Sequence, residues 1–217
     1  MTADLFDNAG EVLPSREDIA DGAVLLRAFA RPVEGELIAA VRAIVAQSPF
    51  RRMTTPGGYQ MSVAMTNCGE RGWITDHTGY RYDPIDPRTG APWPAMPPVL
   101  RDLARRTAEQ GGFTGFAPDA CLVNRYEPGT RLSLHQDKDE LDYSAPIVSV
   151  SLGLPATFLF GGMKRSDKPQ RYRLTHGDVV VWGGPSRLAY HGVAPLAEGE
   201  HALLGRKRIN LTFRRTR

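Results

Sequence analysis

The sequence predicts an α+β fold in which a double-stranded β-helix, or jelly-roll, core is buttressed by helices that precede it. Three observations carry this expectation. From Ala120 onward eight short strand-like runs follow one another between Gly, Pro and Asp turns: ACLVNRY, RLSLHQD, IVSVSLG, ATFLFGG, RYRLTH, DVVVWGG, RLAYHGV and RINLTFRR. So many short strands need a rolled arrangement to limit exposed edges. Ahead of them lie two segments whose apolar residues recur at helical spacing. Finally, 217 residues with 41% hydrophobic and 24% charged content can bury one good core, and disordered, coiled-coil and collagen-like classes have no compositional support.

Taken in order, residues 1–21 hold Asp4, Asp7, Glu11, Glu17, Asp18 and Asp21 against Arg16, a local charge of −5, so with +3 overall the remainder carries +8. A body this basic attracts polyanions in a salt-dependent way, although a merely solvated basic surface has the same composition. Residues 34–48 place Leu37, Ile38, Val41, Ile44 and Val45 on one helical face, with Pro32 near the start. The stretch TPGGYQMSVAMTNCG at 55–69 alternates Tyr59, Met61, Val63 and Met65 with polar or small residues and predicts a strand pair. Six prolines between Asp83 and Pro98 predict an irregular connection. A second helix is predicted over about 98–110, from Pro97-Pro98 to Gly111-Gly112. The expected organisation is therefore an acidic segment at 1–21, an elaboration at 22–118 and the β core at 119–217.

No apolar run is long enough to cross a bilayer and the N-terminus lacks signal-peptide character, so the expectation is a cytoplasmic protein without a membrane partner, and a monomer. Cys68 and Cys121 have no metal or disulfide spacing and are expected to be buried small hydrophobes.

The chemistry is concentrated in four of these strands. In RLSLHQDKDE, His135 and Asp137 are two apart, which on a strand turns both side chains to one side. His191, in RLAYHGV, returns after four further strands. Two imidazoles and one carboxylate leave three positions open on an octahedral ion, which suits iron(II) that must take a bidentate co-substrate and oxygen; structural zinc closes its shell instead. An H-x-D with a distant His also arises by chance. The last strand, RINLTFRR, adds Arg208, Asn210, Thr212 and Arg214 on one face. Two guanidiniums and an amide are costly to bury without an anion, and a dicarboxylate fits planar Arg forks. An exposed basic edge strand is the bland alternative for that segment alone. Asn124 and Tyr126 share a face just upstream of the H-x-D strand and can hydrogen-bond the same co-substrate.

On the motifs NRYEPGTRLSLHQDKDE (124–140), IVSVSLG (147–153), HGDVVVWGG (176–184), YHG (190–192) and RINLTFR (208–214), the chain resembles the AlkB family of iron(II)/2-oxoglutarate nucleic-acid dealkylases, its bacterial members in particular. The likeness extends upstream through 55–69 and PWPAMP at 92–97. It implies iron(II) on His135, Asp137 and His191, and 2-oxoglutarate held by Asn124, Tyr126, Arg208, Asn210 and Arg214. It also implies that part of 22–118 is a nucleotide-recognition lid. There, Trp73 and His135 would sandwich a flipped alkylated base, Asp139 would meet its polar edge, and Tyr80, Tyr82 and Arg165 would contact substrate. On their own, Trp73 reads as an ordinary core or surface aromatic and Arg165 as a solvated loop charge. Residues 71–82 and 197–207 fit the family pattern less tightly.

The activity so implied is hydroxylation of N-alkyl groups on 1-methyladenine and 3-methylcytosine, releasing formaldehyde, succinate and carbon dioxide, in single-stranded or locally opened DNA and in RNA. Two rivals stand beside it: an oxygenase of the same cofactor class acting on a protein or small molecule, and a non-catalytic nucleic-acid-binding jelly roll. The second predicts a broken triad or a missing arginine, and the sequence has neither.

Overall fold

A computed structural model describes residues 14–217. The acids at 4, 7 and 11 lie outside these residues. All eight strands expected after Ala120 form: β6 (Ala120–Tyr126), β7 (Leu132–His135), β8 (Ile147–Gly153), β9 (Ala156–Phe160), β10 (Gln170–Leu174), β11 (Val179–Trp182), β12 (His191–Val193) and β13 (Arg208–Arg214). They are preceded by β1 (Ser15–Ala20), β2 (Ala23–Arg27), β3 (Ala64–Gly69), β4 (Gly72–Asp76) and β5 (Gly79–Asp83). Two helices, α1 (Glu34–Gln47) and α2 (Pro98–Gln110), occupy the predicted segments.

The strands make a seven-stranded sheet in the order β1-β2-β11-β8-β13-β6-β3 and a four-stranded sheet in the order β10-β9-β12-β7. Every strand pairing is antiparallel. The period-2 alternation of the larger sheet divides its side chains between two layers. Leu25, Val180, Trp182, Ile147 and Met65 turn inward and pack with Phe158, Phe160 and Val193 of the smaller sheet. Val24, Val179, Val181, Val148, Val150, Leu211 and Phe213 turn outward and pack with Leu37, Val41 and Ile44 of α1 and Leu100, Leu103 and Ala104 of α2. Because both faces are covered, β8 and β13 are buried along their whole lengths. Polar side chains on these two strands are therefore held away from water.

The segments proposed as 1–21, 22–118 and 119–217 share the larger sheet: it takes β1 from the first, β2 and β3 from the second and its other strands from the third. Two local expectations are corrected. The predicted strand pair at 55–69 is one strand, β3, preceded by a turn in which Thr55 N–H donates to Tyr59 O at 2.9 Å and Gly58 takes φ +82°. Pro56 and the Gly57-Gly58 pair break strand geometry there, and Tyr59 is 79% exposed. Residues 71–83 contain an unpredicted hairpin, β4–β5, whose turn is fixed by Asp76 accepting from Thr78 N–H at 2.8 Å.

The hairpin is aimed by close packing. Gly69 has φ +117°, and a Cβ there would lie 2.3 Å from Asp119 O. At Gly72 a Cβ would lie 2.3 Å from Trp93 Cε2. Only glycine lets β3 turn into β4 at this distance. Among the described residues no helix is long and apolar enough to cross a membrane.

Candidate metal and co-substrate site

His135 ends β7 and His191 begins β12, and the two are direct cross-strand partners. Their rings are 4.4 Å apart at 52°. Asp137 does not share the strand with His135 as the H-x-D pattern predicted. β7 stops at His135, and Asp137 lies in the irregular segment that follows. Two side chains hold that segment: buried Arg187 Nη1 donates to Asp137 O at 2.8 Å and half-buried Gln136 Nε2 to Leu188 O at 2.6 Å. The outcome still juxtaposes the three residues. His135 Nε2 is 3.6 Å from Asp137 Oδ1 and His191 Nε2 is 3.7 Å from Asp137 Oδ2. One ligand atom from each lies within 4.8 Å of the others.

The remaining ring nitrogens are spoken for. His135 Nδ1 is 2.8 Å from Ser133 O and His191 Nδ1 is 2.9 Å from Ala189 O. A carbonyl can only accept, so each Nδ1 carries the proton and each Nε2 keeps its lone pair for a metal. Burial, then the neighbouring His135, pushes His191 down to about 4, so its imidazole is neutral at physiological pH. Although burial of Asp137 opposes ionisation, Arg214 and the two histidines outweigh it and hold its carboxyl well below the usual range. One carboxylate and two imidazoles with open positions beside them are a donor set that suits iron(II).

Arg208, Asn210, Thr212 and Arg214 of β13 all line the cavity, but the two arginines differ. Arg214 Nε and Nη2 both donate to Asp137 Oδ2, at 2.9 and 2.6 Å, so this guanidinium is already on the carboxylate of the triad. Arg208 is 1% exposed, lies over the Tyr126 ring at 4.9 Å and gives one hydrogen bond, from Nη2 to Ser151 Oγ at 3.0 Å. Its Nε and Nη1 are buried without a partner, as is Asn124 Oδ1. Among the described residues Arg208 has no ion-pair partner. Asn210 is oriented by Ser149 Oγ at 2.8 Å and accepts from Asn124 Nδ2 at 3.3 Å and from Thr212 Oγ1 at 3.0 Å. A buried cation with free donors is unstable without an anion, and the carboxylates of 2-oxoglutarate match these donors in charge and hydrogen bonding.

The triad, the β13 face and all the expected substrate residues line one cavity of about 800 Å³. Its mouth is aromatic. Trp73 stacks on Tyr80 across the hairpin at 5.7 Å and 20°, and Tyr80 is 50% exposed. Trp73 Nε1 donates to Asp139 Oδ2 at 2.7 Å, and the Tyr82 hydroxyl donates to Glu140 Oε1 at 2.5 Å. Burial pushes the Tyr82 phenol well above its ordinary range, which keeps it a donor. Arg165 is exposed at the rim.

Sequence reasoning missed Glu140, Arg187, Ser149, Ser151 and Trp182. The charge-rich run KDE made Glu140 resemble a surface residue, yet it and Arg187 form a buried pair at 3.0 Å. Ser149 and Ser151 did carry a signal: two hydroxyls on one face of the otherwise apolar IVSVSLG. Trp182 flanks His191 at 4.8 Å and offered no signal beyond apolarity.

Comparison with known proteins accords with this geometry. The family model for the 2OG-Fe(II) oxygenase superfamily matches residues 22–214. The alpha-ketoglutarate-dependent dioxygenase AlkB of Escherichia coli is 59% identical over 211 residues, covering 97% of this chain and 96% of that protein. The tRNA demethylase abh1 of Schizosaccharomyces pombe is 33% identical over 158 residues, covering 67% of this chain and 52% of that protein. Among solved structures, that of OsALKBH1 superposes with a TM-score of 0.79 at 29% identity, covering 93% of this chain and 100% of that one.

Proposed function

Since the chain belongs to the AlkB family of iron(II)- and 2-oxoglutarate-dependent dioxygenases, we propose that it removes N-linked alkyl groups from damaged nucleic-acid bases, 1-methyladenine and 3-methylcytosine above all. The observation that carries the reading is one cavity holding both the 2-His-1-carboxylate set with the unpaired Arg208 and, at its mouth, an exposed aromatic hairpin.

His135, Asp137 and His191 would hold the iron through Nε2, a carboxylate oxygen and Nε2. Asn124, Tyr126, Arg208, Asn210 and Arg214 would hold 2-oxoglutarate. Iron(II) with 2-oxoglutarate and oxygen supplies the oxidising power that places a hydroxyl on the alkyl carbon, with succinate and carbon dioxide formed alongside. The chain's own residues do the rest. Arg208 gives the co-substrate's carboxylate the charge-assisted bonds its own surroundings lack. Arg214 keeps Asp137 ionised and oriented. Leaving the open half of the metal set toward the cavity, the fixed Nδ1 protons prevent either histidine from turning away.

A base cannot reach a buried triad while stacked in a duplex, so the nucleotide must be flipped out or already single-stranded, and the cost is least for a damaged base. Trp73 with Tyr80 on one side and His135 on the other offer aromatic faces to a cationic methylated ring, and the Asp139 carboxylate complements its charge. Arg165, exposed at the cavity rim, would contact backbone phosphate. The hydroxymethyl group left on nitrogen collapses to formaldehyde and the repaired base. Monomeric action on single-stranded or opened DNA and on RNA, in the cytoplasm, belongs to the same proposal.

The test is mass spectrometry of a short 3-methylcytosine single strand after incubation with iron(II), 2-oxoglutarate and oxygen. Loss of the methyl group supports the proposal. An unchanged strand with continued consumption of 2-oxoglutarate moves the substrate to a protein or small molecule.

A further inference from the structure

Two side-chain-to-side-chain hydrogen bonds leave the β4–β5 hairpin for the core, Trp73 to Asp139 and Tyr82 to Glu140, and both end on the short segment that carries Asp137. Glu140 is only 4% exposed. Its Oε2 accepts from Arg187 Nη2 at 3.0 Å, while Oε1 receives the Tyr82 hydroxyl and lies 3.4 Å from Arg214 Nε. That same Nε donates to Asp137 Oδ2 at 2.9 Å. One guanidinium nitrogen thus stands between the carboxylate of the triad and the carboxylate that answers to the hairpin.

We propose that Glu140 is a positioning residue that couples occupancy of the nucleic-acid hairpin to the seating of Arg214 between Asp137 and the co-substrate. This rests on the function proposed above and adds a physical link between its two binding events. A buried carboxylate oxygen that loses a donor seeks another. With the Tyr82 hydroxyl in place, Oε1 is satisfied and Arg214 Nε stays on Asp137. When a base at the mouth shifts the hairpin and withdraws that hydroxyl, Oε1 draws Arg214 Nε toward itself and loosens one of the two bonds on Asp137 Oδ2. Glu140 cannot follow the hairpin, because Arg187 is pinned by the carbonyls of Asp137 at 2.8 Å and Ala145 at 3.0 Å. Coupling between two binding sites is reciprocal, so nucleic acid and co-substrate must alter each other's affinity by the same factor.

The test uses Mn(II) as a non-reacting stand-in for iron and measures binding of a 3-methylcytosine oligonucleotide by titration, with and without 2-oxoglutarate. In the wild type the two affinities should differ by about fivefold or more. In Tyr82→Phe, which removes one hydroxyl, and in Glu140→Gln, the ratio should fall to near one while each ligand still binds. Simple contact between the bound ligands would survive both substitutions. A wild-type ratio of one, or an unchanged ratio in Tyr82→Phe, overturns the coupling and leaves the proposed function standing. Failure of the oligonucleotide to bind the wild type at all overturns both.

Discussion

Arg208 and Arg214 are the same residue type, six positions apart on one face of β13, yet their roles separate by partner. Arg214 is neutralised by Asp137, whereas Arg208 is buried with two nitrogens unpaired. Arg208→Lys keeps the charge but loses the planar fork, and a charge-assisted pair is worth about 1.5–3 kcal/mol, so the KM for 2-oxoglutarate should rise by roughly 10- to 100-fold. Steady-state kinetics in varied co-substrate measures this, and an unchanged KM would remove Arg208 from the pocket. Histidines give a second prediction. Burial lowers both His191, to about 4, and His201, whose ring stacks on His176. A histidine lowered on folding is protonated first in the unfolded chain. Its contribution is therefore fully present above about pH 6.5 and lost as pH falls toward the folded value. Urea midpoints of the metal-free protein should decline from pH 7 to pH 5, and His201→Gln should remove only part of that decline. The face of RINLTFR was legible because a period of two fixes it on a strand, whereas H-x-D pointed to the right residue types although Asp137 lies beyond the end of β7. Which arginine would be left unpaired was not, since it depends on Asp137 lying beyond the end of its strand.

At the scale of elements, α1, α2 and the eight C-terminal strands were legible from periodicity and from Gly/Pro punctuation. β1 was not, because SREDIA is mostly polar and exposed apart from the partly buried Ile19, and its strand state comes from pairing with β2. The β4–β5 hairpin was missed for a related reason: no residue of β5 is fully buried and Ile74 is the one large apolar residue that β4 buries, so no alternation marks either strand. Its placement depends on Gly72 against Trp93. Gly72→Ala forces a Cβ to 2.3 Å from that indole and must displace the hairpin. Oligonucleotide affinity should drop about tenfold, roughly 1.4 kcal/mol, while 2-oxoglutarate affinity, linked to the hairpin only through Tyr82 and Glu140, should change by a smaller factor of about fivefold. Parallel titrations of the two ligands would show it, and equal loss of both would mean that the hairpin does not act alone. On the far side of the sheet, Leu103→Ala in α2 opens a cavity at a fully buried position and should cost about 2–5 kcal/mol in urea unfolding. Intact iron binding at low temperature in that variant would separate buttress from site.

Over the whole molecule, the roll brings β7, β12 and β13 to one cavity while its other face is sealed by two helices. This division explains why the substrate mouth can be aromatic and open without weakening the core. The basic balance of the chain, +3 overall, should appear as oligonucleotide binding that weakens as salt rises, with a slope reduced by about one when Arg165 is replaced by Ala. A salt-independent affinity would place the phosphates elsewhere. Two-sheet topology was readable from strand count, but its completion by β1, β2 and β3 required the three-dimensional register. Within one cavity, the proposed activity couples consumption of 2-oxoglutarate to removal of an N-alkyl group. Its most direct measurement is the ratio of succinate to formaldehyde from protein loaded anaerobically with iron(II) and 2-oxoglutarate, then given oxygen and a 3-methylcytosine strand. Equal yields that vanish in Asp137→Ala are the predicted result, and succinate without formaldehyde, or formaldehyde surviving Asp137→Ala, would contradict it.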